Sequence, residues 1–123
     1  MSMPYLKLLD IDFPKKYVDK FQGPKFGIQG IRDILGAYDR PLLNNMIKPC
    51  TGYTPDVGAK LFFEAAAGGV DVIKDDELIG GDRSFNKLAD RVKANMDAAH
   101  RAEEVKGEKI LYACNITDEI SRL

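Results

Sequence analysis

Three short apolar runs, each separated from the next by enough chain to make a helix, commit this sequence to a parallel sheet. The runs are Leu42-Leu43-Asn44-Asn45-Met46-Ile47-Lys48, then Val70-Asp71-Val72-Ile73, then Lys109-Ile110-Leu111-Tyr112-Ala113-Cys114-Asn115-Ile116. Each connection is a dozen or more residues long. A parallel pairing needs that length and a hairpin does not. The middle run is rich in β-branched residues, and Gly68-Gly69 and Gly80-Gly81 punctuate both sides of it. A strand this apolar belongs in a sheet covered on both faces.

The connections themselves read as helices. Thr54-Pro55-Asp56 is a helix entry, with a Thr cap, a Pro at the first helical position and an acid in the first turn. This helix runs to about Ala67, with Val57, Leu61, Phe62 and Ala65 on one face, and Gly68-Gly69 stops it. Asp56, Lys60 and Glu64 share another face at the spacing of helix ion pairs. Gly80-Gly81-Asp82-Arg83 reads as a loop, after which Ser84 caps a longer helix, about Phe85 to Lys106, ended by Gly107. Phe85, Leu88, Val92, Met96 and Ala99 recur on it at three and four residues, with charges opposite. Upstream, Leu6 to Phe13 reads as a strand fragment ended by Pro14, and Lys15 to Phe21 as a helical turn. Ile28, Ile31, Ile34 and Leu35 then give a helix from Gly27 to Gly36.

The fold class is therefore α/β. Two architectures fit: an open doubly wound sheet, or the opening of a (β/α)8 barrel. A whole barrel takes roughly 250 residues; the 123 residues here hold three strands of one and two helices. The third strand runs almost straight into the C-terminus, as an early stop would. With 45% hydrophobic residues, 30% charged residues and a net charge of −1, the composition is that of a soluble globular domain. It offers no basic excess for nucleic acid. Its apolar runs fall short of the roughly 20 residues that span a membrane. Met1-Ser2-Met3-Pro4-Tyr5 lacks a signal-peptide layout. Cys50 and Cys114 have no CxxC spacing and no histidine nearby, which argues against zinc and for reduced thiols in a cytoplasm.

Strands of such sheets carry chemistry at their carboxyl ends. The middle run ends in Lys74-Asp75-Asp76-Glu77. Asp76 and Glu77, with one more oxygen ligand, suit a hard cation such as Mg2+. From the residues alone, a solvated acidic loop is the plainer alternative, and Lys48 reads equally as a snorkelling strand-end lysine. Asp75 reads as a structural carboxylate or as one standing behind the metal ligands, not as a ligand itself. Cys50 is a small loop residue, Cys114 a strand residue packed in the wall, and His100 an exposed residue mid-helix; none has the neighbours of a catalytic group. Asn115 and Thr117 close the third run as polar-lining candidates. A small phosphate binder would need a glycine-rich turn after the first strand, and Thr51-Gly52-Tyr53-Thr54 is a poor one.

Several of these segments occur together in a known order. Phe21-Gln22-Gly23-Pro24 with Gly27-Ile28-Gln29, then Arg40-Pro41-Leu42, then Ile47-Lys48-Pro49, then Gly68-Gly69-Val70-Asp71 running into Lys74-Asp75-Asp76-Glu77, resemble the large subunit of ribulose bisphosphate carboxylase/oxygenase and its RuBisCO-like relatives. The resemblance runs from about Leu6 to Asn115. It implies an N-terminal α+β domain and linker ending within residues 1–38, then the first strands of a (β/α)8 barrel over residues 39–123. It also implies enolisation of a phosphorylated keto-sugar on Mg2+. Lys74 would then be the lysine that CO2 converts to a carbamate, and that carbamate with Asp76 and Glu77 would hold the metal. A free lysine titrates near ~10.4 and is a poor ligand while protonated, so carbamylation supplies the anionic oxygen. Lys48 would exchange a proton with the substrate, its pKa lowered beside Mg2+.

Two departures from the carboxylase pattern stand out. Carboxylases read Thr-x-Lys-Pro-Lys where this chain has Met46-Ile47-Lys48-Pro49-Cys50. The substrate-contacting threonine is Met46, and the lysine facing CO2 is Cys50. The resemblance is thus closer to a RuBisCO-like protein, whose enolase, isomerase or decarboxylase steps include methionine-salvage intermediates. A carboxylase proper and a non-catalytic piece needing a complementing chain are the alternatives, and homodimers are the family's assembly. The barrel histidines and phosphate loops of the family have no counterpart in this sequence, so activity from this chain alone is not expected.

Overall fold

The computed structural model describes residues 7–49, 52–80 and 82–122. Cys50, Thr51, Gly81 and the Met1–Tyr5 leader reading fall outside them, as does the start of the strand expected from Leu6. The elements, in order, are α1 (Lys15–Val18), α2 (Gly27–Leu35), β1 (Asn44–Met46), α3 (Pro55–Ala67), β2 (Val72–Lys74), β3 (Asp82–Arg83), β4 (Asn86–Lys87), α4 (Leu88–Lys106) and β5 (Leu111–Ala113), then a 3-10 turn (Ile120–Arg122).

The sheet is parallel and sequential, β1-β2-β5. Met46, Lys74 and Ala113 sit side by side in one register row, and Asn45, Ile73 and Tyr112 in the row before it. α3 and α4 join one core with the strands, through Ala59, Phe62 and Ala66 on α3, Ala98, Ala99 and Ala102 on α4, and Ile47, Ile73 and Ile110 from the sheet. Both helices therefore cover the same face. Crossovers of one hand that always step in one direction along the sheet produce this, and it is barrel geometry. A doubly wound sheet would divide its helices between two faces. Alternation along β2 aims Ile73 at the helices and Val72 and Lys74 at the other face, the side that becomes the interior of a barrel.

α3 begins with Pro55 as its first residue, after an extended Thr54 that makes no side-chain cap bond. Its buried face is Gly58, Ala59, Phe62 and Ala66, while Val57 and Leu61 are exposed. The apolar stripe expected on this helix was thus rotated, because small residues let α4 approach closely. Added to Gly58, a Cβ would lie 3.0 Å from the Tyr53 ring. No ion pair links Asp56, Lys60 and Glu64 among the described residues; Asp56 and Lys60 instead line an outer cleft of about 820 Å³ with Asp90, Lys93, Asp97 and Arg101 of α4.

Downstream, the expected helix from Phe85 begins later, at Leu88. Residues 82–83 and 86–87 pair instead as an antiparallel ribbon, with Ser84 and Phe85 in its turn, so Ser84 caps nothing. Lys87 holds the cap position. The buried stripe of α4 is Arg91, Asn95, Ala98, Ala99 and Ala102; Phe85 and Met96 are exposed. Gly36 and Gly107 end α2 and α4 in the left-handed conformation, at φ 65° and 75°. Residues 7–14 form no strand. Cys114 is exposed rather than packed in a wall, since it follows β5, the edge strand of the sheet.

At the amino ends of the strands a polar cluster fastens the segment before β1 to β2. Arg40 holds both oxygens of buried Asp71 at 2.7 Å each, and Leu43 N–H donates to Oδ2 at 2.8 Å. Lys106 donates to the Val70 carbonyl at 3.0 Å. This end of a barrel sheet is the one associated with stability rather than chemistry.

Candidate functional site at the carboxyl end of the sheet

β1 and β2 lie next to each other and point the same way, so the residues that follow them arrive together. Ile47 N–H donates to the Lys74 carbonyl at 3.1 Å, carrying the ladder one step past β1. Lys48 follows on the face opposite Ile47. Its Nζ lies 2.7 Å from Asp76 Oδ2 and 3.6 Å from Glu77 Oε2. Lys74 Nζ lies 3.2 Å from the same Glu77 oxygen and donates to the Asp75 carbonyl at 3.0 Å. Lys48, Lys74, Asp76 and Glu77 thus form one cluster on the helix-free face. Met46 joins it, with its sulfur 3.8 Å from Lys74 Nζ, as their shared register row requires.

Burial differs sharply within the cluster. The Asp76 side chain is 3% exposed, whereas those of Lys48 and Glu77 are 49% and 59% exposed. Asp76 is held from both ends, because its Oδ1 accepts from Leu78 N–H at 2.9 Å. The hydrogen bond from Lys48 keeps the Asp76 carboxyl below its usual range, and the Leu78 amide adds to this. Glu77 is likewise lowered, first by a backbone N–H of its own residue and then by Lys74. Lys48 is raised, chiefly by its hydrogen bond to Asp76. Its neighbours here are carboxylates, and Lys48 is their counter-ion.

The donor chemistry fits a hard cation in part. Two carboxylates converge, and among the described residues no group of three or more His, Cys, Asp or Glu side chains gathers as a ligand set.

The other sequence candidates have different partners. Asp75 points the opposite way, to the helix side, and is 0% exposed. Its Oδ2 accepts from Arg91 Nε at 2.9 Å, Tyr112 O–H at 2.8 Å and Asn115 N–H at 3.1 Å. Burial and the Asp75 carboxylate push the Tyr112 hydroxyl well up. The Asn115 amide donates to the Glu77 and Ile79 carbonyls at 3.1 and 2.8 Å, and its Oδ1 accepts from Thr117 O–H at 2.7 Å. His100 is exposed on α4. Cys50 lies outside the described residues.

Sequence reasoning missed Arg91, Asn86 and Asn95, all buried on or beside α4. The signal was there in two parts. Alternation past β2 sends Asp75 to the helix side, and Arg91 and Asn95 stand on the stripe of small residues Ala98, Ala99 and Ala102.

Comparison with known proteins agrees with this geometry. Residues 27–122 match the family described as ribulose bisphosphate carboxylase large chain, catalytic domain. A ribulose bisphosphate carboxylase-like protein of Archaeoglobus fulgidus is 59% identical over 95% of this chain, covering 26% of its own length. The dimeric archaeal Rubisco of Hyperthermus butylicus superposes with a TM-score of 0.79 at 42% identity, over 89% of this chain and 25% of that one. A Rubisco-like protein of Rhodopseudomonas palustris gives 0.79 at 37% identity, over 87% of this chain and 30% of that one. The chain therefore spans about a quarter of the length of these relatives.

Proposed function

This chain belongs to the family of the ribulose bisphosphate carboxylase large chain, catalytic domain, and from that membership we propose that it carries the ion-binding part of a RuBisCO-like, Mg2+-dependent enzyme acting on a phosphorylated keto-sugar. Residues 39–123 are taken as the opening of the barrel and residues 1–38 as the segment leading into it. Lys74, as its CO2 carbamate, would hold Mg2+ with Asp76 and Glu77. The bound dication would polarise a substrate carbonyl and favour loss of the neighbouring proton. Lys48 is the group that would exchange that proton, because its Nζ stands at the same cluster on the neighbouring strand.

One observation supports this reading above the others: two amines and two carboxylates from adjacent parallel strands meet within 3.6 Å at the strands' carboxyl ends. A solvated acidic loop would not bury Asp76. Enolisation or isomerisation is favoured over carboxylation because Met46, an apolar thioether, flanks Lys74 where carboxylases have threonine. Carboxylation is the second reading, kept by the likeness to the Hyperthermus butylicus Rubisco. The relatives are about four times longer, so turnover is proposed for an assembly that supplies the remaining barrel strands, in the cytoplasm and as a homodimer. No helix among the described residues is long and apolar enough to cross a membrane.

The test is Mn2+ titration, followed by electron paramagnetic resonance, with and without bicarbonate. Binding that strengthens with bicarbonate and disappears in Lys74→Ala supports the reading. Binding indifferent to bicarbonate and to Lys74 overturns it.

A further inference from the structure

We propose that Arg91 is a positioning residue for the cluster: from α4 it grips Asp75 and so sets the direction in which Lys74, Asp76 and Glu77 leave β2. The inference rests on the ion-binding reading above. Lys74 and Asp76 flank Asp75, and the backbone alternates, so fixing the Asp75 carboxylate on the helix side fixes its neighbours on the other.

The grip is built for direction. The Arg91 side chain is 1% exposed, and each arm of its guanidinium reaches a different segment. Nε donates to Asp75 Oδ2 at 2.9 Å, Nη1 to the Asn86 carbonyl at 3.1 Å, and Nη2 to the Asn115 carbonyl at 3.1 Å. One group thus joins the loop after β2, the ribbon strand β4 and the end of β5. Asn115 completes the hold from below by donating to the Glu77 and Ile79 carbonyls. The loop from Asp75 to Ile79 is therefore pinned on its helix side, and the Asp76 and Glu77 side chains project from the other. Filling the space does not need this chemistry, because a well-packed apolar pair replaces a buried ion pair with little loss of stability. A planar fork that meets three segments at fixed angles does need it, and lysine cannot substitute for it. Groups that orient ligands from behind in this way typically alter metal affinity roughly 10- to 100-fold when removed.

The test uses the double variant Arg91→Met with Asp75→Leu, which leaves no buried charge unpaired, and the single variant Arg91→Lys. Two readouts are taken. The first is amide hydrogen exchange without metal at Leu78, whose N–H is held by Asp76 Oδ1, with Phe62 and Ala98 as core references. The second is Mn2+ affinity in bicarbonate, which should fall roughly 10- to 100-fold in the double variant and less in Arg91→Lys. The Leu78 amide should exchange faster in both variants while the references hold. A folded double variant with unchanged Leu78 exchange and unchanged Mn2+ affinity overturns the proposal. If the unaltered protein binds no Mn2+, the ion-binding reading fails, and Leu78 exchange alone decides the grip: faster upholds it, unchanged refutes it. If the double variant does not fold, Arg91→Lys is judged on the same two readouts.

Discussion

Replacing Asp71 by Asn breaks a part-buried ion pair at a point remote from the cluster. Asp71 is 1% exposed and takes two 2.7 Å bonds from Arg40 and one of 2.8 Å from Leu43 N–H. The Arg40 guanidinium beside it holds its carboxyl down, from 3.8 to about 2. At roughly 1.4 kcal/mol per pH unit, that fall corresponds to about 2 kcal/mol of stability at neutral pH. Arg40 is 40% exposed, so water screens the pair and leaves about 1–2 kcal/mol. A depressed carboxyl contributes fully above its unfolded pKa and loses the contribution as pH falls through the folded one. The gap between the unaltered protein and Asp71→Asn should therefore be about 1–2 kcal/mol at neutral pH, with about half of it gone by pH 3. Urea unfolding of both proteins at a series of pH values from 7 to 3 measures it. A gap of constant size over that range, or none at pH 7, would refute the argument.

Phe62 is fully buried and meets Tyr112 edge-on at 5.4 Å, so Phe62→Ala should cost about 3–5 kcal/mol in denaturant unfolding. Gly107 ends α4 at φ 75°, and Gly107→Ala should cost about 1 kcal/mol, read as a shifted urea midpoint at constant slope. Asp76→Asn removes the group that raises Lys48, so NMR titration of the Lys48 ammonium should show a lower pKa. Because a raised lysine contributes its stability below its ordinary pKa and loses it as pH rises, that alkaline loss should shrink in the variant.

Much of this architecture is readable from the chain because it rests on local rules. The parallel direction of the strands follows from crossover length, and the helix ends follow from Pro55, Gly36 and Gly107, where backbone geometry leaves few choices. The meeting of Lys48 with Asp76 and Glu77 follows once β1 and β2 are neighbours, because both segments leave at the same edge. Tertiary context overrode local pattern elsewhere. Ser84 has the chemistry of a cap, yet the ribbon of residues 82–83 and 86–87 claims it for a turn. Counting apolar residues put Val57, Leu61 and Met96 inside, but α3 and α4 meet through Gly58, Ala59, Ala98 and Ala99, where small size allows close approach. Arg91 looked like part of a solvated face because its partner, Asp75, is sixteen positions away and across the core.

If Lys74 accepts CO2, the resulting anion shares an ion with Asp76 and Glu77. Carbon-13 NMR of the protein in labelled bicarbonate, with and without Mg2+, addresses this directly. One carbamate carbon is expected, growing with Mg2+ and lost in Lys74→Ala. No carbamate signal at any Mg2+ concentration, or one that survives removal of Lys74, would contradict it.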